Sequence, residues 1–382
     1  MLRILITGAN GFIAKNLIHN LKNSKKSIFI YEFTRKNNIK DLEDFIYSSE
    51  VIVHLAGENR SKNLNDFETN NVKLSKEISN IVKKKFLEKN QATKVIFSSS
   101  IQAEGESNYA KTKRKAEKYF EELQKIYHLP VYILRLMNVF GKWCRPNYNS
   151  VIATFCSKII NSQEIIIDDK EKILNLIYID DLIKILKNLI FDFDNKIYNI
   201  GSKINLSPVY KVKLGDIAEK LNLFQLNRLN NKIEEVGEGF TRALYSTYIS
   251  YFEPENFSYQ LKTNKDERGT FVEILKTNNS GQFSYFTAKK GVTRGGHFHH
   301  SKTEKFLVVN GKALFRFRNI LNGKIYKKVI SSDNPEIVDT SPGWSHDITN
   351  IGNDILIVLL WANELFDKDN PDTFNDPKII NL

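Results

Sequence analysis

The periodicity of this chain changes part-way along it, and that change limits what it can fold into. Up to about residue 239, short apolar runs alternate with longer segments of helical spacing. Residues 2–6, 28–31, 51–55, 95–98 and 131–134 read as strands; a segment running to Leu21, then 71–86 and 109–127, read as helices. Such alternation builds βαβ units, and so an α/β Rossmann-like, doubly wound parallel sheet. After residue 239 only short runs remain, at 271–275, 283–288, 306–309, 313–318, 324–330 and 355–361, separated by Asn, Gly and Asp turns. That is the pattern of an all-β sandwich or small barrel. At 382 residues the chain exceeds what one core usually supports. Two domains are expected, 1–245 and 246–382, joined by a linker at about 243–259.

Composition excludes several classes. With 41% hydrophobic and 26% charged residues the chain is neither disordered nor collagen-like. Two cysteines, Cys144 and Cys156, rule out a disulfide framework and fit a reducing, cytoplasmic setting. The apolar run 355–362 is too short to span a bilayer, and residues 2–6 are too short for a secretory core, so neither membrane insertion nor a signal peptide is expected. Of the net charge of +12, +11 falls before residue 246 and +1 after it. No zinc-finger spacing, basic heptad or RNP-like signature accompanies it, so a nucleic-acid partner is not expected. Small polyanions suit the placement better.

Directly after the first strand runs Thr7-Gly8-Ala9-Asn10-Gly11-Phe12-Ile13-Ala14, opening a helix. Glycines there allow a tight turn and close backbone approach to a pyrophosphate, which the helix N-terminus then attracts. Gly8, Asn10, Gly11, Phe12 and Ile13 are the expected cofactor contacts. The second strand ends Tyr31-Glu32-Phe33-Thr34-Arg35-Lys36. Thr34, Arg35 and Lys36 offer a grip for a 2′-phosphate, which favours NADP(H), while Glu32 keeps NADH open. Further on, Tyr109 and Lys113 fall at i and i+4 on one helical face, and Ser98-Ser99-Ser100 ends the strand before them. An ammonium near the phenol is expected to lower its pKa, so that Tyr109 can exchange a proton with a carbonyl or alcohol oxygen.

These pieces, with His54-Leu55-Ala56-Gly57, Asn71-Val72, Arg135 to Gly141 and Tyr178-Ile179-Asp180-Asp181, resemble an extended short-chain dehydrogenase/reductase of the nucleotide-sugar epimerase/dehydratase group. The resemblance implies that Ser100 is the catalytic serine, that Leu55, Ala56, Tyr109 and Lys113 border the cofactor, and that Arg135, Asn138 and Arg145 serve the nicotinamide and UDP-sugar sites. Two departures stand out: Ala14 replaces a third glycine, and the segment from Ser100 to Tyr109 is unusually short.

In the second half, Gly291, His297, His299, Glu304 and Gly311, followed by Pro342-Gly343, His346 and Asn350, resemble both halves of the cupin signature, an all-β jelly roll. On alternating strands His297, His299, Glu304 and His346 can converge, a donor set for Zn²⁺ or another divalent metal. Asp266, Arg268-Gly269 and Gly291 to His297 are also similar to the metal-free dTDP-4-keto-6-deoxysugar 3,5-epimerases. That likeness makes His297 a general base and gives Arg294 to the nucleotide phosphate; His300 is a spare candidate. Over nearly its whole length the chain resembles the bifunctional capsular-polysaccharide enzymes of the UDP-N-acetyl-L-fucosamine pathway. The resemblance implies a homodimer acting on a UDP-4-keto-6-deoxy-amino-sugar. In it the cupin inverts C3 and the reductase domain then reduces the C4 ketone with NADPH. The competing readings are a nucleotide-sugar 4-epimerase or dehydratase with a structural cupin, and a non-catalytic NADP-sensing protein.

Overall fold

The computed structural model describes residues 1–59, 67–192, 204, 206–369 and 371–380. Contacts divide the chain into two units, 1–221 with 243–251, and 222–242 with 252–382. Among the described residues no helix is long and apolar enough to cross a membrane.

In the first unit, β1 (Leu2–Thr7), β2 (Ile28–Phe33), β3 (Val51–His54), β4 (Lys94–Ser100) and β5 (Val131–Leu136) form a parallel sheet in the order β2-β1-β3-β4-β5. Every residue of β3 and β4 is buried, as expected of strands covered on both faces, and this is why they read as unbroken apolar runs. The connecting helices are α1 (Phe12–Lys22), α2 (Ile39–Ser48), α3 (Leu74–Lys89) and α4 (Asn108–Tyr127). Ile78 and Val82 of α3 and Ala116 and Phe120 of α4 pack on Leu5, Ile52, Val95 and Phe97 of the sheet. The strand order reverses between β1 and β3, and ligands of doubly wound sheets lie at the carboxyl ends of strands at such a point. A smaller sheet of β6 (Asn138–Phe140), β7 (Ile173–Tyr178) and β8 (Tyr210–Lys213) follows.

The second unit is all-β. One sheet has the order β10-β11-β12-β19-β14-β17, with β9 (Lys232–Ile233) beside β11; the other has β16-β15-β18-β13-β20. The strands are β10 (Thr263–Asp266), β11 (Gly269–Thr277), β12 (Gln282–Ala288), β13 (Thr293–Phe298), β14 (Glu304–Asn310), β15 (Lys312–Asn319), β16 (Ile325–Ser331), β17 (Ile337–Asp339), β18 (Trp344–Asn350), β19 (Leu356–Ala362) and β20 (Phe374–Asn375). Phe286, Phe306, Val308, Phe315, Ile348 and Val358 fill the space between the sheets. The Rossmann-like unit followed by an all-β jelly roll is thus the fold class expected.

The path between the units differs from a single boundary near 245. Residues 222–242 belong to the second unit, and 243–251 return to the first. The cause is β9, which pairs with β11 at Lys276↔Lys232 and Thr277↔Ile233; Asn231 O also accepts from Lys276 N at 2.7 Å. A two-residue strand has no periodicity to read.

Candidate active sites

The turn after β1 is built for close approach. Gly8 has φ +67°, and a Cβ there would meet Ala56 Cα at 2.8 Å, so the loops after β1 and β3 touch through backbone. Gly11 N donates to Gly8 O at 2.7 Å and Gly11 opens α1 with no side-chain cap and no acidic residue in the first turn. By contrast Asn38 and Asp41 form a full capping box on α2. The free N–H groups of α1 are therefore available to an anion. Buried Ala14 permits close packing of α1, so this departure from a third glycine keeps the geometry.

A buried relay braces this end of the sheet. Thr7 Oγ1 accepts from Ala56 N (3.2 Å), so its hydroxyl donates to His54 Nδ1 (2.7 Å). His54 Nε2 then donates to Ser75 Oγ (3.0 Å), and Ser75 donates to Asn71 O (2.6 Å). Complete burial, aided by the charge of Lys113, pushes His54 down to about 3 and keeps it neutral. The sequence motif contained His54 and Asn71, but no spacing showed that they belong to one relay.

Ser100, Tyr109 and Lys113 come together at the end of β4. They line a cleft of about 940 Å³ that also includes Phe12, Ile13, Leu55 and Asn138. The short Ser100-to-Tyr109 connection is one 3-10 turn, 101–104, capped by Ser100 Oγ on Gln102 N at 3.1 Å, followed by a Ser107 cap on α4. Lys113 is buried, donates to Ser98 O at 3.0 Å, and is lowered to about 8 by desolvation. Its ammonium lies 6.0 Å from the Tyr109 ring centroid. Tyr109 departs from expectation. Burial raises its pKa, and the opposing effect is a hydrogen bond with Ser100 rather than the charge of Lys113. About one turn of helix separates the two residues, and the Lys113 ammonium is held by Ser98 O.

The other expected contacts divide. Arg135 is a clamp on the buried Glu117, through Nε–Oε1 at 2.9 Å and Nη2–Oε2 at 2.8 Å, with Nη1 on Glu104 Oε1 at 2.8 Å. Three of its five N–H donors hold β5 to α4 and to Glu104, and Arg135 is not among the residues that line the cleft. Asn138 is exposed in the cleft, whereas Arg145 lies outside the lining residues with its guanidinium 5.8 Å from the Tyr148 ring. Past β2, Thr34 is tied to Asn37 (N to Oδ1, 2.9 Å), Arg35 pairs with Glu58 and Lys36 is exposed. Glu32 is engaged by Lys22 at 2.9 Å.

In the second unit His297, His299, Glu304 and His346 offer ligand atoms that all lie within 4.8 Å of one another. A bulge creates this. Thr293↔Thr349, Arg294↔Ile348 and Gly295↔Asp347 keep one register, then His297 shifts opposite His346. Were the ladder regular through Gly296, His297 would fall opposite Ser345 and point away from His346. Gly295 (φ +96°) makes the bulge possible, since a Cβ there would meet His346 O at 2.9 Å. Glu304, from the other sheet, reaches His299 Nε2 and His346 Nε2 with one oxygen, 3.1 Å each. Burial works to raise Glu304, yet its hydrogen bonds with His299 and His346, and its electrostatic attraction to the two rings, hold it well below the usual carboxylate range. Burial, then the charge of His346, lowers His297 to about 4.

His299 Nδ1 donates to Asp372 O at 2.6 Å, which fixes its ring and turns Nε2 toward the cluster. The Asp372 carboxylate in turn accepts from the N–H groups of His300, Ser301 and Lys302. Nothing in the local sequence marked this support, contributed from 70 residues away. Nδ1 of His346 is buried without a hydrogen-bond partner, and its Nε2 meets only the Glu304 carboxylate among the described residues. Such a buried imidazole, with a carboxylate and neighbouring imidazoles, fits a divalent metal. His300 packs on Phe374 with ring centroids 4.8 Å apart, outside the donor set. Arg294 shares the inner face further along β13, 5.4 Å from the Phe286 ring, and does not line the histidine cavity of about 290 Å³.

Residues 4–201 match the NAD dependent epimerase/dehydratase family, and residues 264–374 match the polysaccharide biosynthesis C-terminal domain. The chain is 46% identical over 373 residues, 98% of either sequence, to UDP-2-acetamido-2,6-beta-L-arabino-hexul-4-ose reductase of Pseudomonas aeruginosa. The capsular polysaccharide assembling protein CapF from Staphylococcus aureus superposes with a TM-score of 0.89 at 39% identity, covering 98% of this chain and 99% of that one. UDP-glucuronic acid 4-epimerase from Bacillus cereus, 22% identical, shares the fold over 59% of this chain and 84% of its own, with a TM-score of 0.51. These matches, one over half of the chain and two along nearly all of it, establish that the chain belongs to the NAD dependent epimerase/dehydratase family, among members that carry the polysaccharide biosynthesis C-terminal domain.

Proposed function

We propose that the chain performs two successive steps on one nucleotide sugar. The second unit epimerises C3 of UDP-2-acetamido-2,6-dideoxy-β-L-arabino-4-hexulose. The first unit then reduces the C4 ketone with NADPH, giving UDP-2-acetamido-2,6-dideoxy-β-L-talose on the way to UDP-N-acetyl-L-fucosamine and surface polysaccharide. The observation that carries this reading is the meeting of Ser100, Tyr109 and Lys113 in the cleft that opens at the uncapped N-terminus of α1. The Pseudomonas relative, named as a reductase of such a 4-ketose, supports the substrate.

The order follows from chemistry. A ketone at C4 acidifies the C3 proton, and reduction removes that acidity, so epimerisation comes first. Zn²⁺ or another divalent metal, held by His299, Glu304 and His346 and leaving His297 free as a base, would supply the Lewis-acid charge that makes a proton beside a carbonyl easier to remove. His297 is the member of the set that Glu304 does not contact, and it is the least buried. It is the side chain we assign to proton transfer at C3. In the first unit NADPH would supply hydride. Tyr109 gives its phenolic proton to the C4 oxygen, Ser100 holds that oxygen, and Lys113 offsets the charge left on the phenol. Exposed Arg35 and Lys36 past β2 favour a 2′-phosphate, while Lys22 neutralises Glu32.

The test is product analysis by mass spectrometry and NMR from the 4-keto sugar nucleotide in D₂O, with and without NADPH. Deuterium at C3 without NADPH, and stoichiometric NADPH oxidation when it is added, are expected. Conversion with no net NADPH oxidation would replace the reductase by an epimerase that retains its cofactor.

A further inference from the structure

Glu58 joins the turn after β2 to a loop that lines the first-unit cleft. Its backbone is fixed by the buried Asn71 side chain, which accepts from Glu58 N at 2.8 Å and donates to Glu58 O at 3.1 Å. The carboxylate therefore starts from a defined position just past β3. One oxygen accepts from Arg35 Nη2 at 2.8 Å, and the other accepts from Tyr148 Oη at 2.9 Å. Arg35 lies in the turn after β2, where the 2′-phosphate is assigned. Tyr148 lies in the loop after β6 that lines the cleft beside Asn147, Asn149 and Ser150. A single carboxylate thus links the turn assigned to the 2′-phosphate with the Tyr148 loop of the cleft.

We propose that Glu58 is a positioning residue that couples the two ligands, so that the 2′-phosphate of NADPH prepares the wall that receives the nucleotide sugar. This rests on the reading of the cleft given above. The Arg35 side chain is 84% exposed and that of Glu58 only 13%, so the guanidinium is the partner free to move. An ion pair of this exposure contributes little, and a phosphate can take Arg35 from it cheaply. The carboxylate is then repelled by the phosphate and, among the described residues, keeps Tyr148 as its side-chain partner. A charge-assisted hydrogen bond to an unshared carboxylate is the stronger one, so the Tyr148 loop is held where the sugar nucleotide meets it. NADH lacks the 2′-phosphate, leaves Arg35 on Glu58, and has no such effect.

Calorimetric titration of the full chain with NADPH, NADH and UDP tests this. In the wild type, saturating NADPH raises the affinity for UDP about fivefold or more, UDP raises that for NADPH by the same factor, and NADH leaves UDP binding unchanged. Glu58→Gln binds NADPH about two- to fivefold more tightly, because the competing anion is gone, and loses the coupling. Tyr148→Phe loses the coupling with NADPH affinity unchanged. A merely structural role would shift both variants alike. Equal coupling by NADH and NADPH, or undiminished coupling in both variants, overturns the proposal. If the wild type binds NADPH but UDP does not respond, this inference alone fails; if it binds neither dinucleotide, the reading of the cleft fails with it.

Discussion

Arg135 and Glu117 form one of the firmest side-chain contacts in the first unit. Glu117 is 4% exposed and also accepts from Ser99 Oγ at 2.5 Å. Arg135→Ala leaves that carboxylate buried and unpaired, and a cost of about 2 to 3 kcal/mol is expected in urea unfolding, discounted because Arg135 is partly exposed. Tyr109→Phe keeps the packing but removes the proton donor; reduction is expected to fall about 100-fold or more while NADPH binding stays within about threefold. Stopped-flow reduction and a binding titration separate the two. His54 gives a pH signature. Its folded pKa of about 3 lies below the ordinary 6.5, so its contribution is complete above about 6.5 and is lost as pH falls toward 3. The slope it adds is at most about 1.4 kcal/mol per pH unit. Thermal unfolding between pH 7 and 4 should show a shallower acid loss in His54→Gln, offset by a lower starting stability.

At the level of elements, two glycine devices position the chemistry. Gly295→Val puts a side chain against His346 O from a left-handed backbone, which favours a regular ladder with His297 opposite Ser345, on the other face from His346. Solvent deuterium exchange at C3, followed by NMR, is expected to drop at least about tenfold, with the metal content and the β-sheet circular dichroism retained. Gly8→Ala puts a methyl group against the backbone of Ala56 in a left-handed conformation, at a strain of about 1 to 3 kcal/mol. The loops after β1 and β3 then separate, and dinucleotide binding is expected to be lost before the fold is. The uncapped start of α1 belongs to the same logic: α2 and α4 satisfy their first N–H groups internally, and α1 leaves its own for a ligand.

For the whole molecule, each cleft is complete within its own unit. The residues lining the Tyr109 cleft all fall in the first unit, and those lining the histidine cavity all fall in the second. A mixture of Tyr109→Phe and His346→Ala chains should therefore convert the 4-keto sugar through both steps, although neither does so alone. Failure of the mixture, with each single step intact, would mean that the intermediate does not pass freely between chains. The division of charge fits this arrangement: the excess of +11 lies in the part of the sequence that we assign to polyanionic NADPH and reduction of the UDP-sugar.

The fold class and the glycine turn were legible in the sequence because each is written in local spacing or in a strand-to-helix period; the Ser100, Tyr109 and Lys113 set and the histidine donor set were legible only through motifs that resemble known families. β13 and β18 escaped a strand reading: the first is Gly- and His-rich and the second carries Ser345, His346 and Asp347, so neither alternates apolar with polar. Tertiary structure alone decided that Arg135 clamps Glu117, that Tyr109 is raised by burial rather than lowered by Lys113, that residues 222–242 join the second unit, and that Asn71 and Asp372 support the sites. Each of these depends on which distant segments meet and how far water is excluded, and neither quantity is a property of neighbouring residues.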